Sequence, residues 1–277
     1  MLIEGKHICY SYDGGGSSFA LQEVDLRIGQ GQFVVILGGN GSGKSTLVKH
    51  LNALLRLQEG ELRIAHIDVR DEEEIWFLRR LCGMVFQNPD LQFVSPVVED
   101  DIAFGLENYE VPREKIPERV RSALSLVGMD GYAQRAVSTL SGGQKQRVAL
   151  AGVLALDPAV LIFDEATAML DPGGREEVLK IMHQLHRAGK TIITITQYVE
   201  EAVGADQIIL MHRGRVLACG SPRAILTNPD LMRTAELIPP LPVRLYHDLR
   251  QAGVYLNHCP LTEEELVEEL CQLKSKT

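Results

Sequence analysis

No apolar run in this chain approaches the ~18 residues that a membrane-spanning helix needs. The longest, Phe33–Leu37 and Ala159–Phe163, have the length of strands. The opening residues Met1–Tyr10 lack the extended apolar centre of a secretion signal, so a soluble, cytosolic protein is expected. Basic residues are in the minority: 28 Lys and Arg against 37 Asp and Glu give a net charge of −9. With a pI near 5.4, neither nucleic acid nor an anionic lipid face is an expected partner. Cysteine is sparse and scattered. The nearest two of the five (Cys9, Cys82, Cys219, Cys259, Cys271) stand twelve positions apart, which excludes zinc-site and redox-dithiol spacings. All five are expected to be small buried hydrophobes in a reducing compartment. No internal repeat is present.

What remains is an ordinary globular composition, 45% apolar and 23% charged over 277 residues, enough for one large domain or a domain with an appendage. Strand and helix patterns alternate, as in a parallel sheet with crossover helices. Phe33–Leu37 reads as a strand buried on both faces, running into a glycine cluster. Leu47, Val48, Leu51, Leu54 and Leu55 then keep helical spacing. Val160–Phe163 and Thr191–Thr196 are further buried strands, separated by a helix with Val178, Ile181, Met182 and Leu185 on one face, Pro172 upstream and Gly189 beyond it. Near the start, Ile8–Tyr12 and Ala20–Ile28 alternate like half-exposed strands around the glycine-rich turn Asp13–Ser18.

Asp90–Gly152 reads helical, centred on Leu124–Val127; Gln207–Cys219 reads as a hairpin turning at Arg213–Gly214–Arg215, and Ser221–Pro222 as the start of a helix. A proline cluster, Pro239–Pro242, breaks the chain before an end helix with Thr262 and Glu265 in capping-box spacing and a Leu266, Leu270, Leu273 stripe. That stripe packs either internally or on another subunit. The expected fold is an α/β P-loop core with an N-terminal antiparallel β region, an inserted helical subdomain and a small C-terminal helical appendage. The expected boundaries are 1–90 with 153–227 for the core, 91–152 for the helical subdomain and 228–277 for the extension.

Gly38, Gly39, Asn40, Gly41, Ser42, Gly43, Lys44, Ser45 and Thr46 fit G-x-x-x-x-G-K-[ST] and the residue after it, between a buried strand and an amphipathic helix. Glycines let backbone N–H groups converge on phosphate oxygens, the helix start adds a positive dipole, Lys44 neutralises phosphate charge, and the Ser45 hydroxyl suits Mg²⁺. Such a loop needs a distant acid at a strand end for the metal, and Asp164 closes Val160–Phe163. Glu165, one residue further, is placed to orient or deprotonate the water that attacks the γ-phosphate. A triphosphate and Mg²⁺ are therefore the expected ligands. In Leu140–Arg147, Ser141 and the pair Gly142, Gly143 open a second helix whose unpaired N–H groups make another anion site.

LSGGQKQR at 140–147 resembles the signature of ABC ATPases, which implies that the triphosphate is ATP. In that family two subunits face head to tail, so the resemblance implies that Ser141, Gly142, Gly143 and Gln144 cover nucleotide held by a partner. It also implies that Gln87 touches metal and attacking water, that Tyr12 stacks on adenine with Tyr10 as the substitute, and that Asp171 crosses the dimer interface. The family normally places a histidine at the end of Thr191–Thr196, where this chain has Gln197. An amide still donates to a phosphate oxygen but cannot become cationic, so slower hydrolysis at this chain's own site is expected.

The segment from Phe86 to Asn108, with Asp164–Pro172, resembles the ATP-binding subunits of energy-coupling-factor (ECF) importers. That implies a peripheral subunit on the cytoplasmic side of the cell membrane. Its partners would be a second ATPase subunit, identical or not, a transmembrane coupling subunit and a membrane protein that captures a vitamin or a transition-metal ion. The run Glu99–Asp101 either receives arginines from the membrane partner or is a solvated helix start. Rivals are the ATPase of another importer class and a regulatory subunit that binds nucleotide with weak hydrolysis. His183 and His186 are expected to be a solvated pair, and Glu263, Glu264, Glu265, Glu268 and Glu269 the polar face of the end helix.

Overall fold

A computed structural model describes residues 1–13 and 19–274. In chain order the elements are β1 (Ile3–Tyr10), β2 (Leu21–Ile28), β3 (Phe33–Leu37), α1 (Lys44–Leu51), β4 (Glu59–Ile64), β5 (Ile67–Asp68), α2 (Ile75–Leu81), β6 (Cys82–Val85), α3 (Val98–Asn108) and α4 (Ile116–Leu126). They continue with α5 (Gly142–Leu154), β7 (Val160–Asp164), α6 (Pro172–Arg187), β8 (Thr191–Thr196), β9 (Gln207–His212), β10 (Arg215–Gly220), α7 (Pro222–Leu226), α8 (Pro229–Thr234), α9 (Leu241–Gln251) and α10 (Glu263–Lys274). The α/β class is as expected. Most of the glycine-rich turn between β1 and β2 lies outside the described residues.

The main sheet has the order β10-β9-β3-β8-β7-β6, parallel except where β10 turns back on β9. A smaller antiparallel sheet, β2-β1-β4-β5, faces it. Alternation along the central strands explains their unbroken apolar character. Phe33, Val35 and Leu37 pack with Leu161 and Phe163 against α3 to α6, whereas Val34 and Ile36 pack with Val160 and Ile162 against α1 and the antiparallel sheet. A strand covered on both sides has no polar face. Because β3, β6, β7 and β8 run parallel, the residues following each strand emerge on one edge of the sheet.

Several expectations are revised. Helix α1 stops at Leu51, before Leu54 and Leu55, because the Asn52 side chain donates to the Cys82 carbonyl at 3.0 Å and Ala53 turns the chain at φ 53°. The segment 59–85, which carries no clear sequence signal, forms β4, β5, α2 and β6. The proline cluster starts α9 as well as interrupting the chain. Cys219 and Cys271 are exposed and Cys259 half-buried, so only Cys9 and Cys82 are buried. Burial pushes the Cys82 thiol up to about 12. His183 and His186 are not a solvated pair: their rings meet the edge of Phe33 at 5.0 and 5.7 Å, and His186 Nε2 lies 3.0 Å from the Gly31 carbonyl. On α10, Glu265 pairs with Arg223 and Glu269 is buried, accepting from the Asn257 N–H at 2.7 Å.

Other local readings agree with the structure. The β9–β10 turn has Arg213 and Gly214 both at positive φ, the requirement of a two-residue hairpin turn. Ser221 caps α7 by accepting from the Ala224 N–H, and Thr262 Oγ1 accepts from the Glu265 N–H at 3.2 Å.

Candidate active site

The loop Gly38–Gly43 leaves the end of β3 and enters α1 through Gly43, a left-handed residue at φ 98°. A Cβ on Gly43 would stand 2.5 Å from the Ala20 carbonyl oxygen, so only glycine fits. No side chain caps α1, which leaves its first N–H groups directed at the loop's concavity. Lys44 is 4% exposed, and its Nζ donates to the carbonyls of Gly38 and Gly39, each at 2.9 Å. The same Nζ lies 3.6 Å from Glu165 Oε1. Burial pulls the Lys44 ammonium below its usual range, opposed by the charges of Glu165 and Asp164.

Ser45 Oγ donates to Asp164 Oδ1 at 2.8 Å. Burial holds the Asp164 carboxyl above the usual carboxylate range, against the pull of the Ser45 hydroxyl and of Lys49 and Lys44. Glu165 is at φ 48° and its N–H is held by the Ile195 carbonyl, so β8 fixes its backbone. Gln87 Nε2 donates to Glu165 Oε2 at 3.1 Å. Lys44, Ser45, Gln87, Asp164 and Glu165 thus form one cluster, joined through the adjacent Asp164 and Glu165. Gln197 borders the same region, lining a cavity of about 740 Å³ with Gly39, Asn40, Gly41 and Ser42. The far wall of that cavity, Ala235–Pro239 with Arg244, comes from the C-terminal extension and had no signal in the sequence.

Tyr12 is 61% exposed; its hydroxyl is 3.1 Å from Thr46 Oγ1, and its ring meets the edge of Tyr10 at 5.0 Å. Tyr10 is buried against His50, so of the two tyrosines Tyr12 presents the open face. His50, invisible as a functional residue in the sequence, supports this pair from beneath while its Nδ1 meets the Thr46 carbonyl at 2.7 Å. The remaining expected site residues lie outside the cluster. Ser141 and Gln144 close a reciprocal capping box at the start of α5, with Gln144 Nε2 donating to the Tyr132 hydroxyl, while Gly142 has nothing within 4 Å of an added Cβ. Asp171 caps α6, its carboxylate accepting from the Gly174 N–H at 3.3 Å.

The loop after Gln87 is bolted to α5. Gln146 Nε2 donates to the Phe86 carbonyl, Gln92 Nε2 to the Ala149 carbonyl, and Lys145 Nζ to Asp90, at 3.1, 3.1 and 2.7 Å. In the acidic run, Asp101 is consumed locally, accepting from the N–H groups of Val94 and Ser95, while Asp100 stays exposed.

A family model of ABC transporters matches residues 21–168, and one of the C-terminal domain of the energy-coupling factor transporter EcfA1 matches residues 240–277. The chain belongs to the ABC transporter ATP-binding family. Within it, the chain is 48% identical over 276 residues to the energy-coupling factor transporter ATP-binding protein EcfA1 of Clostridium novyi, covering 99% of each. Its counterpart in Symbiobacterium thermophilum is 50% identical over 281 residues, covering 99% of this chain and 98% of the relative. The solved structure of cbiO1 from Clostridium perfringens, part of the ABC transporter complex cbiONQ, superposes with a TM-score of 0.77 at 35% identity, over 90% of this chain and 98% of that one. The dimeric, post-hydrolysis ATP-binding cassette MJ0796 bound to ADP and Pi gives 0.71 at 29% identity, over 80% and 99%.

These relationships place the chain among ECF-type ATP-binding subunits and support ATP hydrolysis as its activity. Neither rival, another importer class or a regulatory subunit with weak hydrolysis, is favoured. No helix among the described residues is long and apolar enough to cross a membrane.

Proposed function

We propose that this ECF-family ATPase grips ATP at Gly38–Thr46 and hydrolyses it with Glu165 to drive import of a vitamin or a transition-metal ion. The observation that carries this is the convergence at one sheet edge of two contact sets joined through adjacent residues, Ser45 with Asp164 and Glu165 with both Lys44 and Gln87. Lys44 exchanges the Gly38 and Gly39 carbonyls for phosphate oxygens. Ser42 Oγ, buried and without a hydrogen-bond partner among the described residues, is a further donor available to the ligand. Ser45, Asp164 and Gln87 supply oxygen atoms, the donor set of Mg²⁺, so these residues fit the ion and would hold it. When bound, the ion neutralises phosphate charge. Glu165 orients and accepts a proton from the attacking water, with Gln87 Nε2 fixing one carboxylate oxygen. Gln197 directs its amide at the γ-phosphate, and Tyr12 stacks on the base.

Ser141, Gly142, Gly143 and Gln144 sit apart from the cluster and in a preformed cap, which suits them to cover the nucleotide of a second ATPase subunit, with Asp171 at the shared interface. The exposed Leu91 and Val94 in the loop after Gln87, and the exposed Phe104 on α3, suit coupling helices of a transmembrane subunit on the cytoplasmic face of the membrane. Through Gln92 and Gln146 a push on that loop reaches α5, and with it Ser141. The test is ATP turnover of the assembled complex with Glu165→Gln in this chain alone. A loss of about a hundredfold or more is expected for removal of a catalytic base. Unchanged turnover favours the regulatory reading.

A further inference from the structure

Behind the site lies a buried carboxylate that the chemistry above does not use. Glu201 is 6% exposed and sits in the short helical turn Val199–Ala202, directly after Gln197 and Tyr198. Its Oε1 accepts from the Thr167 hydroxyl at 2.6 Å. Thr167, itself buried, follows Glu165 by two positions in a tight turn in which the Ala168 N–H bonds to the Glu165 carbonyl and the Leu170 N–H to that of Thr167. The same Oε1 lies 3.8 Å from Arg175 Nε, and the Arg175 guanidinium stands 4.0 Å from the centroid of the Tyr198 ring. Arg175 belongs to the first turn of α6, the helix capped by Asp171.

One carboxylate oxygen therefore joins three segments: the turn that carries Glu165, the strand end that carries Gln197, and the helix start that carries Asp171. Removing a carboxylate from water is costly unless it is paired and hydrogen-bonded, and an apolar residue of similar size is often as stable in such a place. What the charged arrangement adds is fixed geometry. The joint is tight on one side and open on the other. Thr167 is at full hydrogen-bond distance, whereas Arg175 Nε is buried with no acceptor within reach among the described residues. A small approach of the first turn of α6 would complete the second contact.

We infer that Glu201 is a positioning residue for hydrolysis, which holds the Glu165 turn and the Gln197 strand end in register and links both to the Asp171 helix through Arg175. This rests on the roles proposed for Glu165 and Gln197. Misplacing a reacting group by about 1 Å costs up to ~100-fold in rate, while the P-loop that grips the nucleotide is untouched. Glu201→Gln and Thr167→Val are thus each expected to lower kcat of the assembled complex roughly tenfold, with the KM for ATP within about twofold of the parent.

Thr167→Ser keeps the hydroxyl and is expected to recover most of the rate lost in Thr167→Val. The double variant is expected to be no slower than the worse single one, since both break one joint. Thermal melting of each variant checks that the fold persists, and Thr167→Ser against Thr167→Val keeps the test open if Glu201→Gln fails to fold. Glu165→Gln is assayed alongside. If it abolishes turnover while Glu201→Gln and Thr167→Val leave kcat unchanged, or raise KM in step with any loss, the positioning role is overturned and the Glu165 assignment stands. If Glu165→Gln leaves turnover intact, that assignment falls and this inference with it.

Discussion

Alanine placed at Gly43 and at Gly41 separates backbone strain from steric contact within one loop. Both residues have positive φ, 98° and 74°. A Cβ at Gly41 meets nothing within 4 Å, so Gly41→Ala carries only the left-handed penalty of about 1–2 kcal/mol. At Gly43 the same atom would stand 2.5 Å from the carbonyl oxygen of Ala20, in the backbone leading into β2, and 3.1 Å from the Leu21 side chain at Cδ2. Forced displacement of that kind adds about 1–3 kcal/mol, giving a total of about 2–5 kcal/mol. At roughly 2–4 °C per kcal/mol for a chain of this size, thermal unfolding without nucleotide should show Gly41→Ala lower by about 3–5 °C and Gly43→Ala by about 10 °C. Equal melting temperatures for the two variants would refute the loop geometry.

Burial depresses the proton affinity of His50 below its ordinary value of 6.5. Its neutral form contributes stability that is full above pH 6.5 and is lost as pH falls from there through the folded value, because the unfolded chain takes up the proton first. Melting should therefore fall more between about pH 7.5 and 5.5 in the parent than in His50→Gln; parallel pH dependence would contradict this. Gln197→His restores a side chain able to become cationic beside the γ-phosphate, and turnover of the assembled complex should rise by several-fold, about 1 kcal/mol of transition-state stabilisation. No gain would show that the glutamine is not what limits this site.

Those elements whose residues are dictated by one local requirement were legible in the sequence. The glycines and Lys44 of the loop, the carboxylates closing β7, and the Ser141 cap each follow from what a phosphate, a metal ion or a helix end demands of nearby residues. Strands β3, β7 and β8 were equally plain, since burial on both faces leaves runs of apolar and β-branched residues: five apolar residues in β3, four before Asp164 in β7, and only Ile and Thr in β8. Harder to read was whatever depends on partners distant in sequence. Strand β6 is only Cys-Gly-Met-Val and exists because β7 lies beside it. The histidines of α6 looked solvated because nothing near them announces Phe33, about 150 positions away. Helix α1 ended early for the same kind of reason, since Asn52 answers to the Cys82 carbonyl. The buried Thr167–Glu201 pair and the C-terminal wall of the cavity are of this class too, assembled by topology from residues unremarkable in their own neighbourhoods.

The central claim is that Lys44 and the loop around it grip a triphosphate, and calorimetric titration of ATP into the parent chain and into Lys44→Ala tests it directly. The ammonium already makes charge-assisted bonds to two carbonyls at 2.9 Å, so binding gains only what the negative charge of phosphate adds to them. A hydrogen bond to a charged group is worth about 1.5–3 kcal/mol, which sets the upper range of the loss at roughly 10- to 100-fold in affinity. The parent should bind ATP stoichiometrically and Lys44→Ala more weakly, by up to that factor. Equal affinity in the two proteins, or none in the parent, would contradict it.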